Sequence, residues 1–204
     1  MLKKLLVSLL SALLCISVVA EPESQLNGNQ NETDVKIDEN GDVFVSPLKY
    51  HITSDSTAEV IKNGSYKKLE SVVIPSEIQV DGHVYLVTSI GGGAFSWCSG
   101  LTSIEIPSSV TSIGNEAFYR CEGLTHIKIP SSVTNIGNEA FYRCEGLTNV
   151  KISFGLTSIG KSFFNGCSSL TSIEIPSSVT HIGNDAFCYC KDLTHIEIPQ
   201  ASSA

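Results

Sequence analysis

From residue 101 to residue 192 the chain repeats one pattern of apolar and polar positions. Residues 101–123 read LTSIEIPSSVTSIGNEAFYRCEG and residues 124–146 read LTHIKIPSSVTNIGNEAFYRCEG. Residues 147–169 and 170–192 follow the same pattern, and a partial copy starts at Leu193. The period is 23 residues. A fixed period in this range predicts a solenoid, because one coil cannot bury its apolar side alone and must stack on its neighbours. The columns predict which side chains point inward. Leu101, Leu124, Leu147, Leu170 and Leu193 form one column. Ile104, Ile127, Val150, Ile173 and Ile196 form a second, and Ile106, Ile129, Ile152, Ile175 and Ile198 a third. Alternation such as Ile104-Glu105-Ile106 reads as a strand whose charged residue faces solvent. Ile90, Ile113, Ile136, Ile159 and Ile182 each precede a glycine, which fits a bend needing a permissive backbone. Phe95, Phe118, Phe141, Phe164 and Phe187 predict an aromatic stack.

An earlier, longer copy spans residues 69–100, and its extra residues fall around Ile78–Tyr85. There Asp81-Gly82 between alternating apolar residues signals a two-residue hairpin. Residues 43–68 lie outside the repeat and carry strand-like runs at Tyr50–Thr53 and Glu59–Ile61, so they are assigned to an atypical N-terminal β cap on a solenoid of residues 69–204. Residues 21–42 are polar and rich in Asn, Glu and Asp, and read as a flexible acidic leader. Residues 1–20 combine Lys3 and Lys4, an apolar run and the small Ala20. That is a secretory signal peptide with cleavage after Ala20, and the run is shorter than the ~20 residues a bilayer span needs.

Composition adds exclusions. The formal charge is −8, from 13 Lys+Arg against 21 Asp+Glu, which removes nucleic acid as a partner. Cys98, Cys121, Cys144, Cys167 and Cys190 share one repeat position. Side chains in such a ladder run parallel and keep their Cβ atoms too far apart for a relaxed disulfide, so they read as packed free thiols. Cys188 beside Tyr189-Cys190, with His181 and His195 nearby in sequence, invites a metal reading. It is set aside because Cys190 belongs to the core column and His126 and His195 exchange with Ser103, Asn149 and Ser172 at one exposed position. No metal, cofactor or catalytic residue is expected. The Glu105, Lys128, Lys151, Glu174 and Glu197 column reads as a solvated face worth little in stability. The Thr102, Thr125, Thr148, Thr171 and Thr194 column lacks the second threonine that an ice-binding ladder would need.

The string LTSIEIPSSVTSIGNEAFYRC resembles the BspA-like (Treponema-type) leucine-rich repeats of bacterial cell-surface proteins, over roughly residues 69–199. The coil at residues 147–169 departs from it, with Ser153 for Pro, Phe154-Gly155 for Ser-Ser and Phe163 for Ala. The resemblance implies a right-handed leucine-rich-repeat coil stack, and a secreted or surface-displayed adhesion module that binds host or extracellular-matrix proteins without catalysis. A non-adhesive structural or spacer role in the cell envelope is the alternative. Within the repeat, the candidate binding residues are the pair between each Phe and Cys: Ser96-Trp97, Tyr119-Arg120, Tyr142-Arg143, Asn165-Gly166 and Cys188-Tyr189. With Phe and Cys inward, each pair should face solvent. Trp97, Tyr119, Arg120, Tyr142, Arg143 and Tyr189 are of the types that dominate interface hot spots. The last strand offers unpaired backbone groups, so the expectation is weak self-association through the C-terminal edge, or that the chain is one piece of a longer array.

Overall fold

The computed structural model describes residues 35–198. The expected signal peptide and its cleavage point lie outside them, and no helix among the described residues is long and apolar enough to cross a membrane. The fold is a β-rich repeat solenoid with a strand-built cap.

The cap is an antiparallel meander of β1 (Val35–Ile37), β2 (Val43–Val45), β3 (Leu48–Ile52) and β4 (Thr57–Ile61). Ordered structure therefore begins inside the stretch expected to be a flexible leader. The turn between β1 and β2 explains this: the Asp38 carboxylate accepts N–H bonds from Asn40 and Asp42. Lys49 on β3 then pairs with Asp38 at 2.7 Å and with Asp42 at 3.1 Å. Polar residues here supply local hydrogen bonds that replace apolar burial. A 3₁₀ turn at Gly64–Lys68 follows, capped by the Asn63 side chain accepting from Ser65 N–H. It inserts Tyr66 into the core, where its hydroxyl accepts the Lys49 N–H.

The strand β4 pairs in parallel with β7 (His83–Ile90), which joins the cap to the solenoid. Ahead of β7, β6 (Glu77–Val80) forms the expected hairpin; Asp81 and Gly82 both have positive φ, 50° and 80°. That geometry matches the twist of a tight hairpin and favours Asp-Gly. One parallel sheet stacks β5 (Ser71–Val73), β8 (Ser103–Glu105), β10 (His126–Ile129) and β12 (Asn149–Ile152). A second continues from β7 through β9 (Ser112–Ile113) to β11 (Asn135–Ile136). The pairs β13 (Ser158–Ile159) with β15 (His181–Ile182), and β14 (Ser172–Glu174) with β16 (His195–Glu197), form separate ladders. The first ladder ends on β12, within the divergent coil of residues 147–169, and the second ends on β11, in the coil before it.

The core is built of columns. Leu101, Leu124, Leu147 and Leu170 are fully buried, and Ile104, Ile127, Val150 and Ile173 nearly so. Ring centroids step by 5.6 Å from Phe95 to Phe118, 5.2 Å to Phe141, 5.5 Å to Phe164 and 5.7 Å to Phe187. Tyr66 closes the N-terminal end of the stack at 5.1 Å from Phe95. Each buried ring contributes about 1.5–3 kcal/mol. Phe163 fills the space given to alanine in other coils and meets Phe164 edge-on at 4.7 Å. In the last described coils Ile182, Ile196 and Ile198 are exposed.

The glycine after each inward isoleucine is not needed for a permissive bend. None of Gly91, Gly114, Gly137, Gly160 and Gly183 has positive φ. The reason is close stacking: a Cβ at Gly114 would lie 2.5 Å from the Gly92 nitrogen, and at Gly137 2.3 Å from the Asn115 nitrogen. The threonine column is structural as well. Thr125 and Thr148 donate their hydroxyls to the carbonyls of Thr102 and Thr125, one coil back, at 3.2 and 3.0 Å.

Candidate functional site

Between each Phe and Cys the chain turns, and the turn is held from both sides. Within a coil, Cys121 N–H returns to the Phe118 carbonyl at 3.1 Å. Between coils, the N–H of the second turn residue donates to the carbonyl of the first turn residue in the next coil. Trp97 reaches Tyr119, Arg120 reaches Tyr142 and Arg143 reaches Asn165, each at 2.7 Å, and Gly166 reaches Cys188 at 2.8 Å. The backbone thus fixes these positions in a row along one ridge.

The second turn residue lies in the left-handed region in every coil: φ is 65° at Trp97, 56° at Arg120, 53° at Arg143, 80° at Gly166 and 59° at Tyr189. Bulky residues pay about 1–2 kcal/mol there, whereas glycine does not. One coil uses glycine, and the other four carry Trp, Arg, Arg and Tyr. The strained position is where the hot-spot side chains sit.

The rings line up. Tyr119 and Tyr142 stack with centroids 4.9 Å apart and planes at 6°. Trp97 meets Tyr119 at 5.9 Å. Arg120 lies 4.3 Å over the Trp97 ring and pairs with Glu122 at 3.2 Å. Arg143 sits 6.0 Å from the centre of the Tyr142 ring. Trp97, Arg143 and Tyr189 are exposed, and Tyr119, Arg120 and Tyr142 are half-buried. Two expected members do not face solvent: Ser96 and Asn165 are buried, whereas Cys188 at the same turn position is exposed. Tyr189 stands apart from the stack, beyond Gly166.

The inner side of the turn is a thiol ladder. Cys121, Cys144, Cys167 and Cys190 donate S–H to the carbonyls of Phe95, Phe118, Phe141 and Phe164, at 3.1 to 3.2 Å. All six described cysteines are free. Burial pushes the Cys98 and Cys190 thiols up to about 11, and Cys121, Cys144 and Cys167 higher still. Protonated thiols are poor nucleophiles and metal ligands. The exposed Cys188 thiol donates to Asp185 at 3.3 Å, and this bond raises its pKa. Among the described residues no group of three or more His, Cys, Asp or Glu could hold a metal ion.

Sequence reading misses two features here. The left-handed row is signalled only by Gly166 standing in a column of large side chains. An amide ladder on a neighbouring turn is the second: the Asn115 side chain accepts the Asn138 N–H at 2.8 Å, and that of Asn138 accepts the Lys161 N–H at 2.9 Å.

A search of curated proteins found no match. Among solved structures, a leucine rich cell surface protein from Faecalibacterium prausnitzii superposes with a TM-score of 0.68 at 29% identity, over 78% of this chain and 42% of its own length. The leucine rich repeat protein of Treponema pallidum gives 0.66 at 32% identity, over 73% of this chain and 67% of that one. A Eubacterium ventriosum leucine-rich repeat protein gives 0.63 at 24% identity, over 83% of this chain and 41% of that one, and shows the fold alone. The chain thus spans about two fifths of the F. prausnitzii protein. The profile of the BspA type leucine rich repeat region matches residues 88–203 in six copies, and the chain belongs to that family.

Proposed function

We propose that the chain is a secreted or surface-exposed binding module that recognises a protein partner, a host or extracellular-matrix protein, through the turn ridge. One observation carries the reading. The chain's single tryptophan, both of its arginines and three of its six tyrosines fall on that ridge. Four of these six side chains occupy backbone that glycine would hold at lower cost. The adjacent turn is left-handed too, at Gly93, Glu116, Glu139, Ser162 and Asp185, but carries no aromatic or guanidinium side chain. Export is supported by the signal-peptide pattern of residues 1–20 and by the surface description of the F. prausnitzii relative.

The test is a screen of immobilised matrix glycoproteins against the chain and the variant Tyr119→Ala with Tyr142→Ala. Saturable binding at about micromolar affinity, weakened about tenfold in the folded variant, is expected. Unchanged affinity in that variant would remove the ridge. No binding across the panel would favour the spacer role in the envelope.

A second observation favours self-association. Ile182, Ile196 and Ile198 leave an apolar, strand-edged face at the far end of the array, 41%, 41% and 62% exposed. A second copy of this chain is the occupant we propose for it.

A further inference from the structure

The ridge is interrupted once, and the interruption is built from its own pattern. Where the other coils carry Trp97, Arg120, Arg143 and Tyr189, the divergent coil has Gly166. A recess of about 210 Å³ opens there, with Tyr142 and Arg143 on one side, Tyr189 and Lys191 on the other and Glu145 on its wall. The Arg143 stem leans into the missing side chain's place: a Cβ on Gly166 would come within 2.9 Å of the Arg143 Cγ.

The two arginines share one column but not one situation. Arg120 is already engaged, 4.3 Å over Trp97 and 3.2 Å from Glu122. Arg143 has the matching acid, Glu145, two residues on, yet makes no ion pair with it within 4.0 Å; its guanidinium lies 6.0 Å from the centre of the Tyr142 ring. Lys191 is exposed and likewise has no ion-pair partner among the described residues. The recess therefore presents a guanidinium, an ammonium and the Tyr189 hydroxyl against one carboxylate, on a chain whose net charge is −8. Arg carries five fixed N–H donors and no acceptor, and it takes a carboxylate through two parallel bonds. Flanking tyrosines would exclude water from such a bond.

We infer that this recess is the acid-reading element of the ridge, and that it takes an aspartate or glutamate side chain from an extended segment of the protein partner. Arg143 makes the two-pronged contact, Lys191 supplies a second charge, and Tyr142 and Tyr189 bracket the incoming chain. The inference rests on the ridge being the binding surface.

The probe is a labelled synthetic peptide of alternating aspartate and glycine, with its asparagine–glycine counterpart as control. Anisotropy should show the acidic peptide binding and the amide peptide not. Affinity should fall as NaCl rises from about 50 to about 500 mM, where surface charges are screened. Arg143→Gln with Lys191→Gln should weaken binding about fivefold or more, Arg120→Gln by less than about twofold, and Glu145→Gln should strengthen it about twofold. Equal binding of the two peptides, or no binding of the acidic one at millimolar concentration, overturns the inference. So does an equal loss from Arg120→Gln, or a Glu145→Gln change that weakens binding. A matrix-protein hit sensitive to Tyr119→Ala and Tyr142→Ala, but not to Arg143→Gln and Lys191→Gln, would overturn the recess and keep the ridge. A hit sensitive to neither pair would overturn both.

Discussion

At position 189 a tyrosine holds a conformation, φ 59°, that glycine adopts freely, and 76% of its surface is exposed. Replacing it should relieve strain and sacrifice little packing. Tyr189→Gly is expected to raise stability by about 1 kcal/mol, read as a higher urea midpoint at unchanged slope. Gly166→Ala should do the reverse by a similar amount, since φ is 80° and Arg143 stands in the way. The same turn carries a pH dependence. Cys98 and Cys190 move from 9.0 to about 11 because burial disfavours the thiolate. Each keeps its proton longer when folded, so its share of stability is complete below pH 9 and is lost as the pH climbs through 11. The urea midpoint should fall across that window, and a flat profile would show that these thiols do not ionise with unfolding. The cysteine column was legible as packed thiols, but its hydrogen bonds to the phenylalanine carbonyls were not. Spacing reports which side chains share a face and says nothing of what a sulfur meets there.

Single elements here are too short to be stable alone, some only two residues long, and they persist because each coil ties to the next. The amide ladder is one such tie. It stops at Lys161, whose side chain cannot accept from the next coil as Asn115 and Asn138 do. Lys161→Asn should therefore extend it to Asn184 and stabilise the array by about 0.5–1.5 kcal/mol, whereas Asn138→Ala should cost about as much. Thermal melts of the two variants would check the opposite signs. The strands and the Asp81-Gly82 hairpin could be read from the sequence, since alternation and turn chemistry are local. β1 could not, because the turn that orders it depends on Lys49, a residue of β3.

As a whole, the described array is closed at one end and open at the other. Tyr66 and the cap strands cover the first coil, and the aromatic stack begins on a buried ring. At the far end β16 pairs only with β14, leaving an edge of the kind that templates pairing. Sedimentation across a hundredfold concentration range should show a weak dimer, and Ile182→Lys with Ile198→Lys should abolish it. A monomer throughout, with β16 strongly protected from amide exchange, would refute self-association.

The sequence by itself determined the architecture, because a repeated pattern admits one economical solution: identical coils stacked so that Leu, Ile and Phe cover their counterparts. It determined which residue types occupy the turn ridge as well. Three things waited for the tertiary structure. The glycines after the inward isoleucines are there for the backbone of the coil before, a contact between residues far apart in the chain. The ridge position is left-handed in every coil, and from Trp97 to Gly166 an inter-coil hydrogen bond ties it to the next one. And Arg120 and Arg143, identical in local sequence, differ because one has Trp97 beneath it and the other has an empty glycine beside it. Local sequence fixes a residue's face and its chemistry; what it packs against is set by the coils on either side.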